Sequence, residues 1–299
     1  MEDLNLLAHK VARRALDEGA LRPIETTVHH VEQAGARFVV RMLAGRLGRS
    51  AAADRLQRST IEKSGDANPF LPYDPALFVA NLSDTHLCLL NKYPVVDRHL
   101  LVVTRAFEEQ ETLLTLADFE AILVCARQME GLAFYNSGKL AGASQRHKHL
   151  QLAPFPLDPT GADTPIAALL GSPGTAGRVT CSPRLPFRHA LLWLPPQEAL
   201  NAAYLVQMYA AMLVELGISD GCTSPKPYNW LATRQWMLVA PRRAETVGGM
   251  AVNSLGFAGS LLVRSAAQLT WLRAFGPLCA LRSVSEPLSS DSKLFDLCD

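Results

Sequence analysis

Two histidines separated by one residue, at the head of a short apolar run, constrain this chain more than any other feature. The run is His147-Lys148-His149-Leu150-Gln151-Leu152-Ala153-Pro154, and the small-residue loop Gly142-Ala143-Ser144-Gln145 precedes it. Successive side chains of a strand alternate faces. His147, His149 and Gln151 therefore share one face, while Leu150 and Leu152 point into a core. The loop has little side-chain bulk to shield its backbone N–H groups, which suits a phosphate beside a nucleophile. Three readings fit: a buried strand whose imidazoles are satisfied by hydrogen bonds, a His-x-His metal site with no third ligand of suitable spacing nearby, and a histidine nucleophile attacking phosphorus.

The 299 residues suffice for one large domain or two small ones, and 48% of them are hydrophobic, enough for a sizeable core. A formal net charge of +1 argues against a general nucleic-acid binder, which carries a basic excess. No apolar run is long enough to span a bilayer, so no membrane partner is expected. The N-terminus reads as an amphipathic helix, not a signal peptide. Six scattered cysteines (Cys88, Cys125, Cys181, Cys222, Cys279 and Cys298) form no C-x-x-C pair. They read as reduced thiols in a cytoplasmic protein, and a structural zinc site is not expected.

Residues 3–18 place Leu4, Leu7, Val11 and Ala15 on one helical face, and Gly19 stops the helix. Phe38 to Met42 reads as a strand. A basic region with Arg46, Arg49, Arg55 and Arg58 follows, either a solvated surface or a loop folding over polyphosphate. Residues 77–81, 86–90 and 99–104 read as three closely spaced antiparallel strands. Thr115 can cap a helix over 116–133, with Asp118 in the capping-box position and Ile122, Leu123, Ala126, Met129 and Ala133 as its buried stripe. Phe134-Tyr135-Asn136 begins the next strand. Residues 156–177, rich in Pro, Gly, Asp and Thr, read as a connection. Phe187 to Trp193 then reads as a strand, and a helix carrying Ala202, Leu205, Met208, Tyr209, Met212 and Leu216 ends at Gly217. Tyr228-Asn229 echoes Tyr135-Asn136, and Trp236 to Pro241 echoes His149 to Pro154 with Trp236 in the place of His149. Such an echo reads as a diverged internal duplication with chemistry in one copy only.

The run from Asn136-Ser137-Gly138 through Gly142-Ala143-Ser144-Gln145 to His147-Lys148-His149-Leu150-Gln151 resembles the diadenosine tetraphosphate phosphorylases. These are also called ATP adenylyltransferases, a branch of the histidine-triad superfamily. The superfamily pattern is His-x-His-x-His; this branch, like the galactose-1-phosphate uridylyltransferases, has glutamine last, as Gln151 is here. The resemblance implies an α+β fold of histidine-triad-like antiparallel sheets with packed helices, in two pseudo-repeated halves. On that pattern 1–155 is the catalytic half, 156–177 the linker, 178–282 the degenerate half that completes the nucleotide site, and 283–299 a frayed tail.

The same resemblance implies the remaining site residues. Lys63 is a substrate-contacting lysine shortly before Asn68-Pro69-Phe70. Asn91-Lys92-Tyr93 matches a nucleotide-contacting Asn-Lys-aromatic segment. Asn253-Ser254-Leu255-Gly256-Phe257-Ala258-Gly259 matches another, which brings Asn253, Ser254, Leu255, Ser260 and Arg264 to the nucleotide. Two departures fall there: Ser260 replaces a bulkier residue, and Arg264 replaces a lysine. Arg264 keeps the charge but grips phosphate in a forked geometry.

By the family's chemistry, His149 is the nucleophile, forming an adenylyl-histidine by attack on an α-phosphorus. ATP leaves, and inorganic phosphate then yields ADP. Gln151 hydrogen-bonds phosphoryl oxygens, and His147 orients the phosphate or leaving group. Ser144 and Gln145, with the Gly142 and Ala143 amides, cradle the growing charge, and Asn136 is a further substrate-binding residue. A divalent ion, taken as Mg2+, is expected with the polyphosphate, since no carboxylate cluster holds it alone. The expected partners are adenine nucleotides, including dinucleotides, and inorganic phosphate, bound by a monomer. The alternatives are a uridylyltransferase acting on sugar 1-phosphates and a non-catalytic zinc- or nucleotide-binding protein.

Overall fold

The structure, a computed structural model, describes residues 3–45, 68–219 and 225–288. Its frame is a nine-stranded sheet. In chain order the strands are β3 (Phe78–Asn81), β4 (His86–Leu90), β5 (Leu100–Thr104), β6 (Gly131–Asn136), β7 (His149–Pro154), β8 (Val179–Thr180), β9 (Ala190–Trp193), β10 (Tyr228–Ala232) and β11 (Trp236–Pro241). They lie in the order β3-β4-β5-β7-β6-β10-β11-β9-β8, and every neighbouring pair is antiparallel. The two halves meet at β6 and β10, where Asn136 faces Asn229. Two smaller sheets sit apart: the hairpin β12 (Thr246–Val247) and β13 (Met250–Ala251), and a sheet of β1 (Thr26–Gln33), β2 (Ala36–Leu43) and β14 (Ser260–Val263), with β14 parallel to β2.

Alternation divides the core. Leu150 and Leu152 of β7, with Tyr135, Tyr228 and Trp230, pack against the helices Leu4–Asp17, Leu116–Gln128 and Ala202–Glu215. Phe134, Ala153, Leu231, Leu238 and Ala240 face the other way and pack against the β1-β2-β14 sheet and the helices Ala266–Phe275 and Pro277–Val284. Local signals fix the helix starts. The Asp3 side chain accepts from the N–H groups of Asn5 and Leu6, and Thr115 and Asp118 form the expected capping box. The helix after Thr115 ends at Gln128 because Gly131 already belongs to β6, so Ala133 is a strand residue.

Some expectations need correction. The strand β1 was not foreseen: only Val28 and Val31 of Thr26-Thr27-Val28-His29-His30-Val31-Glu32-Gln33 are apolar, and its pairing with β2 supplies what composition did not. The strand expected over 187–193 begins only at Ala190. Within 156–177, Leu157, Ile166, Leu169 and Leu170 pack into the second core layer. Ser285 is fully buried and the backbone of Glu286 pairs with Pro241 and Arg188, so the ordered fold runs past 283. Cys88, Cys125 and Cys181 are free thiols, but Cys279 is disulfide-bonded, against the expectation for it.

The second sequence echo also shifts. Extending the β6–β7 register beyond Phe134 opposite Gln151 brings Asn136 level with His149. On β11, however, the residue opposite Asn229 is Ala240, and Trp236 lies at the far end of the strand opposite Trp193. Trp236 therefore does not occupy the His149 position relative to the Tyr-Asn pair.

Lys148 anchors β7 from behind. It points to the helix side, is wholly buried, and places Nζ 2.7 Å from Asp118, 3.2 Å from Glu108 and 2.9 Å from the Leu113 carbonyl. Asp118 also accepts from His86 Nε2 at 3.0 Å and from the Thr115 N–H and hydroxyl at 2.7 and 2.8 Å. Burial alone would raise the Asp118 carboxyl. The His86 hydrogen bond, the Lys148 charge and the Thr115 backbone outweigh it and hold the carboxyl below its ordinary value.

Removing one partner of a buried ion pair leaves an uncompensated charge. Lys148→Met is expected to destabilise the fold by roughly 3–5 kcal/mol in urea unfolding, and Lys148→Met with Asp118→Asn by less than Lys148→Met alone. His189 is buried, and burial lowers its pKa to about 4. The unfolded chain binds that proton near pH 6.5 and the folded chain only near 4. Stability should therefore fall as pH drops between those values, by roughly 3 kcal/mol. A His189→Gln variant should show a flatter profile across the same window.

Candidate active site

An open cleft with about 340 Å3 of enclosed space lies on the face of β7 that carries His149 and Gln151. Phe70, Tyr73, Leu77, Leu89, Val95 and Leu101 give it apolar walls. Asn91, Lys92, Asn136, Gly142, Ser144, Gln145, His149, Gln151, Asn253 and Leu255, all singled out by sequence, line it as well. The fold thus gathers ten residues from three separated stretches of chain around one space.

His149 is oriented by its own strand. Its Nδ1 lies 2.8 Å from the His147 carbonyl oxygen. A carbonyl can only accept, so Nδ1 carries a proton, and in the neutral ring the lone pair is on Nε2. The Phe70 ring lies against the imidazole at 5.4 Å. Gln151 follows on the same face.

His147 differs from expectation. It does not line the cleft, and it is 2% exposed. Its Nε2 lies 2.8 Å from the Thr104 carbonyl, its Nδ1 faces Asn68 Nδ2 at 2.9 Å, and Phe70 and Phe107 meet the ring edge-on. Burial lowers its pKa, with the Thr104 and Ala106 backbone hydrogen bonds opposing, so the ring is neutral near pH 7. The alternation rule put His147 on the right face. The strand proper starts at His149, and Phe107 and Asn68 close over the earlier residue. What His147 presents to His149 is its main-chain carbonyl, not its ring. With its ring nitrogens committed in this way, a His-x-His metal site has no support here.

Asn136 is held by the second half. Its Oδ1 accepts from Asn229 Nδ2 at 2.8 Å, Ser254 N–H at 3.0 Å and Ser254 Oγ at 2.8 Å. That fixes the amide orientation and leaves the Nδ2 donors for the cleft. Asn229 is itself gripped by Arg242, whose Nη1 donates to its Oδ1 at 2.6 Å and to the Ala141 carbonyl at 3.2 Å. Arg242 is 3% exposed and lies over the Phe257 ring. Burial lowers its pKa, with the Glu245 charge opposing. Ser254 is thus a buried brace and not a lining residue.

The loop before β7 also needs revision. The Gly142 N–H donates to the Lys139 carbonyl and the Ala143 N–H to the Gly138 carbonyl, so both amides are used inside the turn. Gly142 is needed for another reason. Its φ is +88°, and a Cβ would lie 2.8 Å from Asn253 Cβ and from the Val252 carbonyl oxygen. Gly142, Ser144 and Gln145 are the loop residues that line the cleft, and Ala143 does not.

Ser260 and Arg264 do not line the cleft either. Ser260 pairs with Val39 in the β1-β2-β14 sheet, and Arg264 is exposed just beyond that strand. The motif brings Asn253 and Leu255 to the cleft, and the chain then turns into a different sheet. Lys63 and the arginine-rich segment from Arg46 to Arg58 lie outside the described residues.

Sequence reasoning missed Asp74 and Gln110. Asp74 lines the cleft and holds Lys92 Nζ at 3.2 Å. It sits in Tyr73-Asp74-Pro75, a turn-type sequence that carries no signal for a ligand. Gln110 sits in the acidic stretch Glu108-Glu109-Gln110-Glu111, which reads as a solvated surface, yet it is 2% exposed. Its amide is wedged between Asn136 and His149.

With this geometry in place, relatives become informative. Residues 2–172 match the family model described as the Ap4A phosphorylase N-terminal domain, and residues 183–287 that of the ATP adenylyltransferase C-terminal domain. Diadenosine 5',5'''-P1,P4-tetraphosphate phosphorylase 2 of Saccharomyces cerevisiae is 29% identical over 234 residues, covering 68% of this chain and 70% of that protein. Protein APA1 of the same organism is 28% identical over 201 residues, covering 59% of this chain and 61% of that one. The crystal structure of yeast Ap4A phosphorylase Apa2 superposes with a TM-score of 0.81 at 24% identity, covering 97% of each chain. Its complex with Ap4A gives 0.78 at 24% identity, covering 96% of this chain and 98% of the other. The α+β fold of large antiparallel sheets is therefore shared. With both of its parts matched by the paired family models, the chain belongs to the Ap4A phosphorylase (ATP adenylyltransferase) family of nucleotidyltransferases.

Proposed function

We propose that this chain phosphorolyses diadenosine tetraphosphate to ADP and ATP, and runs the reverse reaction, through an adenylyl-histidine at His149. The observation that carries this reading is the Nδ1–H hydrogen bond from His149 to the His147 carbonyl, in a ring that lines the cleft. It prepares Nε2 as a neutral nucleophile without a general base. Nε2 attacks the α-phosphorus, a P–N bond forms, the α–β phosphoanhydride bond breaks, and ATP leaves. An oxygen of inorganic phosphate then attacks the same phosphorus, the P–N bond breaks, and ADP leaves with His149 neutral again.

The surrounding groups suit that chemistry. The Asn136 Nδ2 donors, Gln151 and the Ser144–Gln145 end of the loop lie where charge would develop on phosphoryl oxygens. Asn91, Lys92 and Asn253 line the same cleft and are placed for ribose and phosphate groups. Asp74 neutralises Lys92 until a polyphosphate competes for it. Asp74 is the one carboxylate lining the cleft among the described residues, and it is already paired. These residues do not form a protein-held Mg2+ site, so a divalent ion would come with the phosphates.

Mass spectrometry after mixing with diadenosine tetraphosphate, without phosphate, should find AMP added at His149. His149→Ala should lose the adduct and at least 10³-fold in turnover, in line with removal of a covalent nucleophile. An alanine variant that keeps wild-type turnover would refute the reading. A second test concerns Gln151, which cannot accept a proton from an attacking water. Gln151→His is expected to divert product from ADP towards AMP, measured by chromatography with phosphate present. An unchanged AMP-to-ADP ratio would count against that role.

A further inference from the structure

We propose that Gln110 is a positioning residue for the reaction: its side-chain amide stands in for a peptide unit between β6 and β7 and sets where His149 sits. This rests on His149 being the nucleophile. The ladder between the two strands stops at Phe134 opposite Gln151. One interval further, Asn136 and His149 are not paired with each other, and the Gln110 amide bonds to both instead. Its Oε1 accepts the His149 N–H at 2.8 Å, and its Nε2 donates to the Asn136 carbonyl at 3.0 Å and the His149 carbonyl at 3.2 Å.

Gln110 is itself pinned. Its backbone N–H donates to the Arg146 carbonyl at 2.7 Å, and its carbonyl accepts from the Tyr135 hydroxyl. The residue is a fixed peg with one amide width of reach. Spreading the strands by that width lets the chain leave β6 at Asn136, form the loop that lines the cleft and return at His149. It also clamps both main-chain groups of His149. The direction of its ring, and the bond from Nδ1 to the His147 carbonyl, follow from that clamp. Asn136 and His149, two cleft residues on different strands, are thereby kept at one spacing.

The amide is required, not merely a side chain of that length. A carboxylate at 110 would accept from the His149 N–H but would face two carbonyl oxygens with no donor. Gln110→Glu is therefore expected to lower kcat at neutral pH, with KM for diadenosine tetraphosphate within about threefold of wild type. The loss should be about 10²-fold, the scale for a reacting group misplaced by an ångström. Activity should recover partly as pH falls, because the protonated carboxyl regains an O–H donor. Gln110→Asn, which cannot reach both strands, should show a similar kcat loss that acid does not relieve.

Two further measurements separate positioning from general damage. Thermal unfolding checks that each variant is folded. Two-bond 1H–15N NMR of the histidine side chains reads the His149 tautomer: Nδ1–H in the wild type, and a mixture in both variants. Wild-type kcat in Gln110→Glu at neutral pH, or an unchanged His149 tautomer in both folded variants, would overturn the proposal. Should the wild type itself not act on diadenosine tetraphosphate, the function reading fails, and the tautomer signals still decide the role of Gln110.

Discussion

A neutral imidazole has one proton to place, and at His149 the carbonyl two residues back decides where it goes. His189 shows that this bond alone does not make a nucleophile. Its Nδ1 meets the Phe187 carbonyl at 2.8 Å in the same way, but its Nε2 accepts the Ser182 backbone N–H at 2.8 Å within the core. The two rings share a tautomer and differ in what surrounds them: His149 lines a cleft, and His189 closes a main-chain gap. Catalytic potential therefore comes from the tautomer together with the cleft, and much of the remaining structure serves to keep that cleft against β7.

The second half contributes by bracing. It supplies no imidazole to the cleft, but it provides Asn229 and Ser254, which turn the Asn136 amide, and Arg242, which holds Asn229. Arg242 has amide and carbonyl acceptors and an aromatic face around it, so its charge is hydrogen-bonded while remaining within the protein. An arrangement of this kind suits a rigid support, since breaking any member would strand a buried polar group.

Much of this was legible in the sequence where local physics decides. The capping box at Thr115, the glycine stops, the alternation through β7 and the central β4 and β5 strands all follow from short-range rules. The cleft residues of the Asn91-Lys92, Asn136 and Asn253 segments were found because their residue types match a family pattern. What stayed hidden depends on distance in the chain. Gln110 is 39 residues from His149, and its neighbours are glutamates, so neither spacing nor composition reveals a buried wedge. Asp118 and Lys148 are paired across 30 positions by the packing of a helix on a strand. Ser260 and Arg264 fit the motif by type, and only the pairing of β14 with β2 removes them from the cleft.

The seam between β6 and β10 has one more consequence. Each of these strands, taken with its own half, would end in a row of unsatisfied main-chain donors and acceptors beside Phe134, Tyr135, Trp230 and Leu231, an inviting template for other strands. In the whole molecule each row cancels the other. Neither portion is then a freely tradable module: each is the edge that closes its neighbour's main chain, a mutual dependence written into a single strand pair.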